Sequence, residues 1–537
     1  MRRRGADGPA SASRADCPAL RRTLPDLVAP LRRLSGWRAD LAALVLGAVA
    51  ALALPPVHAI PVLLLAVPGL LALIDASPSV AVAARRGFAF GFGHHLVGLY
   101  WITEAILLES ARYWWLVPFA VPFLSAILAP FIAVACAAAR CATPGFQRLC
   151  MLAGAWTLAD LARQYIGTGF PWNPWGSVWA MPGVLGDVML QPLAWIGTPG
   201  LTLLTVLLTG LPAINWRAVI GGGATLLLWA AAGWMRLAEP APPAPGLAVV
   251  LVQGNVSQGQ KWDQAGAFAV FQRYLRLTAE GVAQAGSRPS VVVWPETASP
   301  FLLGADPAAR AMIADAMRPA RLALVGSIRF PGGLPSATSD TSSTDLPRNS
   351  LLALDPQGRI VASYDKWHLV PFGEYGPSWI PFSVHVVPGQ FAFGSGPATL
   401  AVPGIPPFAP MICYEAIFPA QIVDEAARPA WLVNVTNDAW FGNSTGPRQH
   451  LAAARMRAVE EGLPLMRAAN TGITAGFDAR GHELGRLPRE AAGTLVLDLP
   501  GARPATSFAR WGLVIPGLLA LALVAVGSGL ARRRAVT

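Results

Sequence analysis

Charge is what this sequence has least of. Only 13% of its 537 residues are Asp, Glu, Lys or Arg, against 54% hydrophobic. A soluble domain carries about 25% charged residues, so a large part of the chain is expected to lie in something other than water. Cysteine is also sparse. The five are Cys17, Cys136, Cys141, Cys150 and Cys413, with no CxxC pair and no Cys/His metal spacing. That pattern argues against a structural zinc site, and no metal or other cofactor is expected. Acidic residues number 30 against 41 basic ones, a formal net charge of +11. Such a balance can accompany a nucleic-acid partner. Here the basic residues are mostly arginines at the two termini and in short gaps between apolar runs, with no compact basic face carrying interleaved aromatics. No nucleic acid is expected as a partner.

Residues 1–38 are basic and Pro/Ala-rich and lack an apolar core, which reads as a cytoplasmic leader rather than a cleaved signal. Beyond it lie apolar runs near 39–55, 58–76, 87–107, 114–139, 147–165, 188–213 and 218–236, with one more at 511–530. A spanning helix needs about 20 mostly apolar residues. The expectation is a membrane domain of about seven transmembrane helices over 39–236 and a C-terminal span over 511–530. The third run holds His94, His95 and Glu104, and the fifth holds Asp160. Arg85, Arg86, Arg140, Arg148 and Arg217 fall in alternate gaps, and the tail after 530 reads ARRRAVT. By the positive-inside rule those gaps and both termini are cytoplasmic. An odd number of spans then places residues 247–505 on the outer side. The outer loop GTGFPWNPWGSVWAMPG supplies tryptophans for an interfacial belt or for a lipid entrance.

A Pro-rich linker over 237–246 separates this region from a stretch of different composition. Short β-rich runs such as LAVVLVQGNV, SVVVWPET and AWLVNVTND alternate with helical ones such as AFAVFQRYLRLTAEGVA, the pattern of an α/β domain. Residues 331–347 form a polar, turn-rich loop.

Three residues stand where strands end: Glu296 after SVVVWP, Lys366 after IVASYD and Cys413 after FAPMI. Each alone has an ordinary structural explanation. Together they meet a chemical requirement. A thiol attacks a carbonyl only after losing its proton. Glu296 can accept that proton, and Lys366 can hold the charge that develops on the carbonyl oxygen, with the Tyr414 backbone N–H as a second donor. Cys413 is also the one cysteine of the outer domain. In an oxidising compartment it has no disulfide partner within the chain, which favours a reactive role. His368 and His450 read as structural.

The blocks VVVWPETASP, YDKWHLVPFGEYGP, MICYEAIFP and NVTNDAWFGNSTGPRQHLAAARMRA resemble the signature segments of the nitrilase superfamily. They are most similar to its membrane branch, the apolipoprotein N-acyltransferases, and the resemblance runs over essentially the whole chain. It implies a multi-span α-helical membrane domain plus an α/β nitrilase-like α-β-β-α sandwich domain, in the inner membrane of a bacterium with the catalytic domain facing the periplasm. It implies a phospholipid acyl donor, typically phosphatidylethanolamine, whose sn-1 chain passes to a cysteine thioester. The acceptor is then the α-amino group of a lipoprotein's N-terminal diacylglyceryl-cysteine. By this resemblance Glu296 is the general base, Lys366 the oxyanion stabiliser and Cys413 the nucleophile. Glu374, Tyr414 and Glu415 support the site, and Trp262, Asn349 and Pro377 bind substrate. Two other readings stay open: a membrane-tethered nitrilase-like amidase, and a transporter with an inactive sensor domain.

Overall fold

The computed structural model describes residues 28–108, 113–257, 266–332, 346–376 and 390–529. Trp262, Pro377, Cys17, most of the basic leader and most of the 331–347 loop lie outside the described residues.

The first half is helical: α1 (Gly36–Ala50), α2 (Leu63–Asp75), α3 (Val80–Gly98), α4 (Ile102–Leu107), α5 (Val117–Cys141), α6 (Phe146–Arg163), α7 (Val184–Leu190), α8 (Leu193–Gly210) and α9 (Trp216–Ala238). Four stretches among the described residues, Gly36–Ala53, Trp114–Cys141, Leu193–Ala213 and Trp216–Ala238, are long and apolar enough to cross a membrane. Ile60–Asp75 and Val514–Gly527 are apolar but shorter. The run expected over 87–107 is divided. Its helix starts earlier, at Val80, ends at Gly98, and α4 begins only after a break. His94 and His95 are buried, and His94 Nε2 receives the Trp175 indole N–H at 3.3 Å, so these polar groups face protein. Small residues bring the helices together, as is usual where lipid supplies no hydrophobic drive. A Cβ at Gly47 of α1 would stand 1.9 Å from the Phe90 carbonyl oxygen of α3.

The second half is built from β1 (Ala248–Gln253), α10 (Ala267–Ala285), β2 (Ser290–Val293), α11 (Pro307–Ala316), β3 (Leu322–Arg329), β4 (Arg348–Leu354) and β5 (Ile360–Asp365). It continues with β6 (Leu400–Val402), β7 (Ile405–Ile412), β8 (Trp431–Thr436), α12 (Gly446–Glu461), β9 (Leu465–Ala469), β10 (Thr474–Phe477), β11 (Glu483–Leu487) and β12 (Gly493–Asp498). Two six-stranded sheets result, in the orders β12-β1-β2-β3-β4-β5 and β11-β10-β9-β8-β7-β6. β1, β2 and β3 run parallel, as do β7, β8 and β9.

Period-2 alternation assigns the faces. Val249 and Leu251 point between the sheets, where they meet Phe408, Val433 and Met466. Val250 and Val252 point the other way, onto Phe271 and Tyr274 of α10 and Ile313 of α11. Ala409, Met411 and Leu432 pack under α12 through Leu451, Ala454 and Ala458. Strands buried on both faces read as continuous apolar runs, which is how β1 and β2 look in the sequence. Each such Val or Leu contributes about 1.5–3 kcal/mol on burial. The layers are therefore α-β-β-α. After β12 the chain forms α13 (Ser507–Trp511) and α14 (Val514–Gly527). α14 returns to the helical half, where Gly154 of α6 lets the Ala520 carbonyl approach to 2.6 Å from a would-be Cβ.

Candidate active site

Glu296, Lys366 and Cys413 lie just beyond the C-terminal ends of β2, β5 and β7. Groups outside the carboxyl ends of strands converge on one crevice, and here the crevice is closed: the three side chains are buried, Lys366 to 1% exposure.

Lys366 Nζ donates to Glu296 Oε1 at 3.1 Å and lies 3.0 and 2.9 Å from the two carboxyl oxygens of Glu374. Asn349, inside β4, spans the same two carboxyls, with Nδ2 donating to Glu296 Oε1 at 2.7 Å and to Glu374 Oε1 at 2.8 Å. Backbone donors hold the other oxygens. The Asn437 N–H reaches Glu296 Oε2 at 2.8 Å, and the Val370 N–H reaches Glu374 Oε2 at 2.8 Å. Burial works against a charged Lys366. The facing Glu296 and Glu374 carboxyls outweigh it and set its pKa well above that of an ordinary lysine. The ammonium is therefore permanent. Cys413 goes the other way. Burial first, then Glu296, push its thiol well above the usual value, against the opposing pull of Lys366. At rest the sulfur carries its proton.

Cys413 opens a short 3₁₀ turn, Cys413–Ile417, with φ of +50°. A residue with a Cβ rarely adopts that region, so the surroundings must hold it there. Glu415 does so from within the turn. Its carboxyl accepts from the Ile412 N–H at 2.6 Å, the Trp367 N–H at 2.8 Å and the Tyr364 hydroxyl at 2.9 Å. It thus ties the strand end that carries Lys366 to the one that carries Cys413. Burial still pushes the Glu415 carboxyl up to about 7 despite these donors. Tyr414 points into the helical half. Its hydroxyl donates to the Gly169 carbonyl at 2.9 Å, and its ring lies against Phe170 and Phe418. The loop that follows α6 therefore forms part of the wall behind the thiol.

The structure brings Glu296, Lys366, Cys413, Glu374, Asn349, Tyr414 and Glu415 into one cluster. Trp262 and Pro377 fall outside the described residues. His368 stands aside, stacked on Phe418 and bonded to Gln421. Sequence reasoning missed Asn437, Thr436 and Asp438, at and just beyond the end of β8. The polar run TND closing an apolar strand was the available signal.

A buried Glu–Lys–Cys set at the strand ends of an α-β-β-α sandwich, walled by an apolar helical bundle, marks a membrane protein of the carbon–nitrogen hydrolase class. Residues 248–504 match the carbon-nitrogen hydrolase family, and residues 46–211 match the apolipoprotein N-acyltransferase N-terminal domain. The chain is similar to the apolipoprotein N-acyltransferases of Brucella melitensis and Brucella suis, 38% and 39% identical over 535 residues, spanning 93% of this chain and 98% of each relative. It is likewise similar to that of Rhodopseudomonas palustris, 38% identical over 518 residues, 91% of this chain and 94% of the relative. The chain belongs to the apolipoprotein N-acyltransferase family.

Proposed function

We propose that this protein N-acylates lipoproteins by a two-step transfer through Cys413. In the first step Glu296 removes the Cys413 proton as the sulfur attacks the ester carbonyl of a phospholipid. Lys366 Nζ, held by Glu296 and Glu374, faces the oxygen on which charge builds. The carbon–sulfur bond forms, the ester bond breaks, and Glu296 returns the proton to the lysophospholipid oxygen. In the second step Glu296 takes a proton from the α-amino group of a diacylglyceryl-cysteine. The nitrogen attacks the thioester, the carbon–sulfur bond breaks, and the thiolate recovers the proton. A thiol held protonated until substrate arrives suits this order, because the base acts only when a carbonyl is in place.

The observation that carries the reading is the docking of Tyr414, the residue after the proposed nucleophile, onto Gly169 of the helical half. The thiol sits at the seam with the apolar bundle, where an acyl chain leaving a bilayer would enter. The proposed orientation is an inner membrane location with residues 247–505 on the periplasmic side and both termini cytoplasmic.

Purified protein incubated with acyl-labelled phosphatidylethanolamine is expected to gain a label that hydroxylamine releases, and Cys413→Ala to gain none. An unlabelled wild type, or a label that survives in Cys413→Ala, would sink the thioester route. Release of ammonia from an added small amide, with no transfer of label from phospholipid to a lipopeptide amine, would point to an amidase.

A further inference from the structure

His450 lies fully buried in α12 and takes no part in the proton transfers above. Its Nε2 stands 2.8 Å from the Cys413 carbonyl oxygen. A carbonyl only accepts, so Nε2 carries a proton and donates. Its Nδ1 lies 2.9 Å from Asp438 Oδ1 and 3.3 Å from Arg467 Nη2. Asp438 is itself fully enclosed. It accepts from the Thr436 hydroxyl at 2.9 Å and from Arg467 Nη2 at 2.7 Å. Burial alone would protonate it, but Arg467, His450 and Thr436 hold its carboxyl down to about 2. Asp438 therefore reaches Cys413 through His450, which meets the Cys413 carbonyl.

This arrangement meets a specific need. Cys413 occupies the left-handed region at φ +50°, and its carbonyl direction fixes that turn. α12, which carries His450, is anchored in the helical half. Gln449 accepts from the Trp172 indole at 2.9 Å. Glu460 accepts from the Thr198 N–H at 2.7 Å, just after the break in α8 at Gly197.

We propose that Asp438 and His450 form a positioning pair for acyl transfer, in which His450 pins the Cys413 carbonyl and so keeps the sulfur aligned with Glu296 and Lys366. The proposal rests on the reading of Cys413 as the acylated nucleophile.

The test compares His450→Gln and His450→Met in the full-length protein in detergent–phospholipid micelles. The two side chains are similar in length, but only Gln carries an N–H to give the carbonyl. Single-turnover thioacylation from labelled phosphatidylethanolamine is expected to slow by roughly 100-fold in His450→Met, with KM for lipid within about two-fold of wild type. His450→Gln should recover to within about ten-fold of wild type. Wild-type speed in His450→Met, equal slowing in both variants, or a loss carried by KM would overturn the positioning role. Should His450→Met fail to fold, His450→Gln decides alone: a rate within that ten-fold range supports the role, and a slower one overturns it. Failure of the nucleophile reading shows separately, as a wild type without label or a labelled Cys413→Ala.

Discussion

The Tyr414 hydroxyl donates to the Gly169 carbonyl at 2.9 Å, joining the residue after Cys413 to the loop that follows α6 in the helical half. Both residues are buried. Tyr414→Phe keeps the ring between Phe170 and Phe418 but strands the Gly169 carbonyl, a loss of about 1–3 kcal/mol. The expected result is a lower unfolding midpoint and slower thioacylation. An unchanged rate would mean that the seam does not help to position the thiol.

Glu296→Gln is nearly isosteric and removes the proposed base. Thioacylation should fall by about 10²–10⁴-fold. Lys366→Met, which removes the ammonium facing both carboxyls, should cost about 10²–10³-fold. Single-turnover labelling measures both, and full activity in either variant would contradict the assigned role.

Asn349→Leu removes one nitrogen that serves two carboxyls. Its Oδ1 is buried and has no hydrogen-bond partner among the described residues, so the loss falls on the Glu296 and Glu374 contacts alone. Hydrogen bonds to charged groups are worth about 1.5–3 kcal/mol. We expect a slower thioacylation step with lipid KM little changed, since the carboxyls lose alignment while the acyl path keeps its apolar walls.

The stability contributed by two buried carboxyls should decline as pH rises from about 4.5 towards 7. Burial, reinforced by the neighbouring Glu460, pushes the Glu461 carboxyl up to about 7, and burial does the same for Glu415. A carboxyl that binds its proton more tightly when folded contributes fully below its unfolded value. That contribution is lost as pH climbs through the folded one. Glu461→Gln, away from the Cys413 cluster, should raise the unfolding midpoint at about pH 7.5 relative to that at about pH 5, compared with wild type. A slope identical to wild type would remove Glu461 as its source.

Cys141 is exposed at the end of α5, whereas Cys136, Cys150 and Cys413 are buried. With the proposed orientation, an impermeant maleimide added outside intact cells leaves Cys141 unmodified and modifies it in inverted vesicles. Peptide mapping reads the result, and modification from outside would reverse the topology.

Much of the site was legible because its chemistry lies in contiguous blocks. Glu296, Lys366 and Cys413 each stand at or near the end of an apolar strand, with the Tyr414 N–H next to the thiol, while Glu374 and Glu415 came through the family resemblance. Asn349 came through that resemblance too, because an Asn inside a strand carries no local signal. His450 read as structural. Its contact with the Cys413 carbonyl depends on α12 crossing the second sheet, which no spacing of residues encodes. The divided third run was hidden for a similar reason: His94 and His95 looked like polar interruptions of a span, and only the packing of Trp175 shows where they face.

The sequence by itself determined the two-part construction, the apolar runs that become buried strands, and the residue types able to perform thiol chemistry. Those arise from local periodicity and from what each side chain can donate or accept. Tertiary structure alone decided that two glutamates share one lysine and one asparagine. It also decided that Cys413 is held at a positive φ from behind, and that the helical half supplies a wall of the site. These are relations between segments up to hundreds of residues apart. They exist only once burial removes water and leaves each polar group to find its partner within the fold.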